Sequence, residues 1–207
     1  IIMHLPYAYQ AKRMFPDIFR HDREDTDFWK DVAENLGPAP EPHNSDDPII
    51  IEIWEKAMDG YRRAISKTPQ YLDFHASRIE KGQRASSLIG NQYTGSIFLA
   101  LMSSFESDLE ENDNLDNELL GLCGYGSGAK AKVFEGKVSP RWREVVSRWN
   151  LFERLAGRVA IDHVTYENLH KGLQSGSVVE PEGEFALVEI TESGVQEGAR
   201  RYKWIGA

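Results

Sequence analysis

The stretch Leu122-Cys123-Gly124-Tyr125-Gly126-Ser127-Gly128 constrains the fold more than any other part of the chain. An apolar run over residues 118–124 reads as a buried strand, the glycines that follow supply a tight turn, and a second strand is expected around Ala131–Val138. Most of the remaining chain has helical periodicity. A strand pair set among helices has to bury its faces against them, so the expected class is a layered α/β domain. With 207 residues and no internal repeat, a single domain over residues 1–207 is expected, long enough to bury a core without staples. Ile1, Ile2 and Met3 read as the end of another buried strand. A domain rarely begins on a strand it must pair, so the chain is expected to be the later part of a longer protein.

Helices are expected around this sheet. Pro6 suits a first helical position, and Ala8, Ala11, Phe15 and Ile18 make one apolar face behind it. Thr26 is placed to cap a second helix over Asp27–Leu36, with Phe28, Val32 and Leu36 in line. Residues 37–48, rich in proline and polar residues, form a surface loop. Asp47-Pro48 then signals cap and start of a helix with a stripe of Ile50, Trp54, Ala57, Tyr61 and Ala64. A further helix over Thr94–Phe105 should turn Phe98, Leu101, Met102 and Phe105 inward. The acidic stretch 106–117 reads as a solvated connection. Ser139-Pro140 opens a helix with Trp142, Val145, Trp149 and Phe152 on one face, and a short helix follows near Thr165–His170. Two alternating segments, FALVEI and RRYKWI, form a terminal hairpin.

Charge and composition exclude some functions. A net charge of −9 argues against a general nucleic-acid binder, which needs a dense positive surface. No apolar run reaches the roughly 18 residues of a membrane span, and the first residues lack the basic start and cleavage site of a secretory signal. The single cysteine, Cys123, rules out an internal disulfide, and a reducing, cytoplasmic setting is expected.

The glycine turn admits three chemical readings. A phosphate loop requires Gly-Lys-Ser/Thr opening a helix; here there is no Gly-Lys and a strand follows, and the glycine spacing also fails a dinucleotide fingerprint. Cys123 as a nucleophile would need a base and an electropositive setting, whereas it stands inside a strand as a small buried hydrophobe does. The third reading uses the backbone: glycines on both sides of Ser127 let the main chain approach a ligand, where an N–H could serve as an oxyanion donor. The same residues also make plain strand turns, and the residues themselves leave this open.

The six histidines form no i, i+4 pair that suggests zinc. His4 ends an apolar strand just before a helix start, a junction that often faces a cleft, although a structural histidine fits as well. Asn91, in Gly90-Asn91-Gln92-Tyr93-Thr94, stands at another such junction, where a turn or cap role is the plain alternative.

His4-Leu5-Pro6-Tyr7, Gly90-Asn91-Gln92-Tyr93-Thr94 and Tyr125-Gly126-Ser127-Gly128 together resemble the hydroxymethylglutaryl-coenzyme A synthases, in this order and at this kind of spacing, over nearly the whole chain up to about Lys171. The resemblance implies the C-terminal half of a thiolase-like fold and the condensation of acetyl-CoA with acetoacetyl-CoA. The family acts in the mevalonate pathway of isoprenoid biosynthesis, uses coenzyme A thioesters as substrates with no cofactor or metal, and forms homodimers. It further implies that the nucleophilic cysteine and a glutamate lie upstream, in a missing N-terminal half, so that the chain by itself is inactive. Carried over residue by residue, His4 would hydrogen-bond the acetoacetyl group and serve in acid/base work. Asn91 would orient that acceptor, the Ser127 N–H would stabilise an oxyanion, and Lys12 would approach the coenzyme A phosphates. Tyr9 stands where the family often has a lysine, which leaves room for an acyl-carrier-protein donor. Two rivals are a ketoacyl synthase-like condensing enzyme, which the Asn91 and Ser127 motifs disfavour, and a non-catalytic partner of the same fold, which an intact His4 and Asn91 disfavour.

Overall fold

A computed structural model describes residues 1–5, 7–126, 130–174 and 176–206. The chain divides into two compact units, Ile1–Ala156 and Gly157–Ala207.

In the first unit a three-stranded sheet has the order β1-β2-β3. The strands are β1 (Ile2–Met3), β2 (Leu119–Gly126) and β3 (Lys130–Lys137). The first pair is parallel, with Ile2 opposite Leu122 and Met3 opposite Cys123. The second is antiparallel, with Leu122 opposite Phe134 and Cys123 opposite Val133. The two strands expected around the glycine turn are therefore present, and Ile2 and Met3 are buried as expected, although β1 stands at one edge of this three-stranded sheet. The turn itself, residues 127–129, lies outside the described residues.

Ile2 and Met3 of β1 share a core with residues of several helices of the first unit. Helix α1 (Gln10–His21) begins later than Pro6 suggested, and Pro6 is outside the described residues. Its buried side is Ala11, Phe15, Pro16 and Phe19, whereas Ile18 is 54% exposed. The apolar face thus runs through positions 11, 15 and 19, one residue round from the expected one. Pro16 inside this helix removes the N–H that would bond the Lys12 carbonyl. The Tyr71 hydroxyl takes its place, donating to that carbonyl at 2.8 Å.

Helix α2 (Asp27–Ala33) is capped by Thr26, whose hydroxyl accepts the Trp29 N–H. It buries Trp29 and Val32 and leaves Phe28 outside. Helix α3 (Pro48–Ile65) starts where Asp47 accepts the Ile49 N–H at 2.8 Å. Only its C-terminal half is buried, through Met58, Tyr61 and Ile65. Residues 66–90, unread in the sequence, hold α4 (Pro69–His75), one π turn (Ala76–Glu80) and α5 (Lys81–Ile89). Thr68 caps α4 through the Tyr71 N–H.

A 3-10 turn at Tyr93–Gly95 leads into α6 (Ser96–Glu110). Two expectations fail here. Phe98 is 64% exposed rather than inward, and the acidic stretch is not simply a solvated connection, because α6 continues through Glu110 with Glu106 and Asp108 buried. Both carboxylates have partners that make burial tolerable. Glu106 accepts the N–H groups of Leu151 and Phe152, and Asp108 receives the Lys81 ammonium at 2.6 Å. Ser103, also on α6, enters the ladder of α5: its hydroxyl accepts the Ala85 N–H and donates to the Lys81 carbonyl, two groups a regular helix joins directly. The expected helix after Ser139-Pro140 is two, α7 (Trp142–Val146) and α8 (Leu151–Ala156), because Asn150 takes φ 52° and breaks the run.

One core cluster gathers Ile2, Leu5, Phe15, Phe19, Ile65, Tyr71 and Ala100, and a smaller one holds Phe105, Val138, Trp142 and Val146. Full burial of an aromatic such as Phe19 contributes roughly 2 kcal/mol relative to exposure.

The second unit contains α9 (His163–His170), capped by Asp162, and the hairpin of β4 (Glu184–Ile190) and β5 (Arg200–Ile205). The expected hairpin is antiparallel, with a register shift between Leu187 and Glu189.

Candidate active site

The chain reaches the end of β1 and has to leave the sheet. The His4 N–H donates to the Cys123 carbonyl at 2.9 Å, a last rung of the β1–β2 pairing. The imidazole Nδ1 is 2.8 Å from the Ser96 hydroxyl, on the first residue of α6. The Leu5 N–H donates to the same hydroxyl at 3.0 Å. On the other side the Tyr125 ring stands edge-on to the imidazole, centroids 5.0 Å apart and planes at 83°. The Tyr125 hydroxyl is in turn held by the Gln10 side-chain amide at 2.5 Å. The histidine is therefore held directly from β2 and α6, and through Tyr125 from α1; Ser96 is ninety-two positions from it in the sequence.

A cleft of about 400 Å³ opens beside it. One wall is His4, Thr94 and Ile97; the other is Gly124, Tyr125 and Gly126, with Lys130 and Lys132 of β3 at the margin. The structure thus brings His4 together with residues of the other two sequence motifs, Thr94 of one and Tyr125 and Gly126 of the other. Such an arrangement offers one imidazole, nearby glycine backbone and two lysines to a carbonyl-bearing ligand, in a mostly apolar setting.

The other expected site residues are placed as follows. Asn91 is exposed at the start of the turn that carries Thr94, and its side-chain oxygen accepts the Tyr93 N–H at 2.7 Å. That bond holds Tyr93 at φ 48°, and Asn91 does not line the His4 cleft. Ser127 lies outside the described residues; its neighbour Gly126 lines the cleft. Lys12, on α1, lines two other pockets instead. One, of about 720 Å³, also holds Tyr9, His75, Gln83 and Arg84; the second, of about 690 Å³, holds Tyr9, Arg13, Arg62 and Arg63. Both are larger than the His4 cleft, yet neither contains its imidazole.

Cys123 is half-buried, and burial pushes its thiol pKa up, the direction opposite to an activated nucleophile. His75 is buried beside the π turn with its Nε2 3.1 Å from the Gln83 amide, and burial lowers its pKa. Among the described residues no cluster of histidine, cysteine or carboxylate groups has metal-binding geometry, and no helix is long and apolar enough to cross a membrane. Sequence reading missed Ser96, Gln10 and the two lysines of β3. The one local signal for Ser96 was a polar residue just before the apolar run Ile97–Met102.

Comparison with known proteins gives a consistent result. The family model described as hydroxymethylglutaryl-coenzyme A synthase C terminal matches residues 1–176. A hydroxymethylglutaryl-CoA synthase of Haloferax volcanii is 28% identical over 193 residues, covering 90% of this chain and 43% of the relative. Hydroxymethylglutaryl-CoA synthase A of Dictyostelium discoideum is 26% identical, covering 97% of this chain and 41% of the relative. Among solved structures, MvaS in complex with 3-hydroxy-3-methylglutaryl coenzyme A superposes with a TM-score of 0.63 at 24% identity, covering 99% of this chain and 41% of that one. The curacin-pathway HMG synthase in complex with holo donor-ACP gives 0.59 at 17% identity, with 99% and 42% covered. The chain spans less than half the length of these relatives.

Proposed function

Since the chain belongs to the hydroxymethylglutaryl-coenzyme A synthase C-terminal family, we propose that it is the acceptor-binding part of a longer condensing enzyme. The enzyme joins an acetyl thioester to acetoacetyl-CoA or a related β-ketoacyl thioester. The observation that carries this reading is the grip on His4 beside the Thr94 and Gly124–Gly126 walls of one cleft.

In the proposed reaction the acetyl group rides on a cysteine of the N-terminal half. Loss of a methyl proton to a base there gives the enolate carbon, which attacks the keto carbon of the acceptor. The carbon–carbon bond forms as the keto oxygen takes up the electron pair and then the proton that the base removed, and water then releases the product from the cysteine. His4 meets the acceptor oxygen, and Asn91 orients the acceptor from the neighbouring turn. The Ser127 N–H stabilises the oxyanion at the acylated cysteine, and Lys12 approaches the coenzyme A phosphates. Substrates are coenzyme A thioesters, no cofactor is required, and the assembled protein is a homodimer. This places the enzyme in the mevalonate route to isoprenoids. A second reading, an acyl-carrier-protein donor, is favoured by one observation: Tyr9, which replaces a family lysine, is 65% exposed at the rim of both Lys12 pockets.

The test separates the half-reactions. In the intact protein His4→Ala should leave cysteine acetylation unchanged and slow condensation by about 100-fold or more. The 207-residue chain alone should not condense; turnover by it, or an unimpaired His4→Ala enzyme, would refute the assignment.

A further inference from the structure

We propose that Ser96 is a positioning residue that fixes the ring proton of His4 on Nε2, so that His4 meets its ligand as a hydrogen-bond donor and not as a base. The inference rests on the reading of His4 as the acceptor-binding histidine, and deepens it.

The argument is an accounting of protons. The Ser96 side chain is fully buried, so no solvent takes its hydroxyl proton. A hydroxyl has one proton to give and two lone pairs to receive with. Among the described residues the oxygen has two partners: the Leu5 main-chain N–H at 3.0 Å and the His4 Nδ1 at 2.8 Å. A main-chain N–H can only donate, so Leu5 uses a lone pair of the oxygen. The hydroxyl proton therefore points at Nδ1. Were Nδ1 protonated, both partners would donate into the oxygen and the buried hydroxyl proton would be left without an acceptor, an arrangement that folded proteins avoid. Nδ1 is thus the acceptor, and the tautomer assigned by the network carries its proton on Nε2.

The rest of the environment holds this orientation. The His4 main chain is tied to the Cys123 carbonyl, which fixes the start of the side chain. Tyr125 stands edge-on to the ring and is itself held by Gln10, so rotation of the imidazole would disturb both. Among the described residues no partner is present for Nε2, which leaves its N–H for a ligand in the cleft that His4 lines. Ser96 touches no reacting atom; it acts through His4. One chemical consequence follows. An imidazole that already carries its proton on Nε2 cannot take one there, so the base that makes the acetyl enolate has to be a different group.

The first test needs no variant. In the intact protein ¹⁵N-labelled at histidine, long-range proton–nitrogen correlations of the His4 ring should show a protonated Nε2 and an unprotonated, hydrogen-bonded Nδ1 at a pH where free histidine is neutral. A proton on Nδ1 would overturn the proposal. Ser96→Ala should shift the Nδ1 resonance and populate the Nδ1–H form, while Ser96→Thr, which keeps the hydroxyl, should retain the parent pattern. An unchanged spectrum in Ser96→Ala would also overturn it. In the intact enzyme Ser96→Ala should lower kcat for condensation and leave acetyl transfer alone, with recovery in Ser96→Thr; full condensation in Ser96→Ala would refute the positioning role. If the spectra come out as stated but His4→Ala condenses normally, the catalytic reading of His4 falls while the proton assignment stands.

Discussion

Removing one hydroxyl, in Tyr71→Phe, tests how helix α1 tolerates a proline in its middle. Pro16 has no N–H, so the Lys12 carbonyl four residues earlier lacks its helical donor. The Tyr71 hydroxyl fills that vacancy at 2.8 Å, from a side chain with no solvent exposure. Phenylalanine keeps the ring, including its edge contact with Phe19 at 5.3 Å, so the loss is confined to the hydrogen bond. Leaving this partly buried carbonyl without its donor costs about 1–3 kcal/mol. The same substitution made in a Pro16→Ala background should cost less than about 1 kcal/mol, because the alanine N–H can complete the helical bond. A double-mutant cycle therefore predicts a coupling of roughly 1–2 kcal/mol, and the separate cost of altering the buried proline cancels from it. Urea unfolding of the four proteins, followed by far-UV circular dichroism, measures the terms. If Tyr71→Phe costs the same in both backgrounds, the hydroxyl does not substitute for the missing N–H and the reasoning is wrong.

Two further outcomes are expected. Lys81 holds Asp108 at 2.6 Å, Glu111 at 2.8 Å and Asp113 at 2.6 Å; Lys81→Met would strand the buried Asp108 and should cost about 3 kcal/mol in urea unfolding, with much of that loss absent when Asp108→Asn is made alongside. His75 is buried next to Gln83, with Glu80 and Lys12 near it, and its pKa lies below the ordinary 6.5 chiefly through burial. Between the lowered folded value and 6.5 the unfolded chain binds more protons, so the His75 contribution is complete above about pH 6.5 and is lost as pH falls through that window; it should vanish in His75→Gln, and an unaltered pH profile of stability in that variant would contradict it.

Local signals in the sequence were enough to identify several elements. The strands on both sides of the glycine turn, the Thr26 and Asp47 caps and the terminal hairpin depend on residues close together in the chain, where periodicity and capping chemistry act directly. The three motifs that resemble the synthases were likewise legible, and they pointed to His4 and to the walls beside it. The faces of the helices were less legible. Ile18 and Phe98 are as apolar as any core residue yet point outward, because which side of a helix is buried depends on what packs against it. The acidic tail of α6 looked like a solvated connection because its compensating groups, Lys81 and the start of α8, are distant in sequence. Ser96 was missed for the same reason. By its sequence alone the chain determined its strands, the starts of α2 and α3 and the residues worth watching. Only the tertiary structure set Ser96 against His4, ninety-two positions apart, and buried that hydroxyl so that its one proton has one place to go.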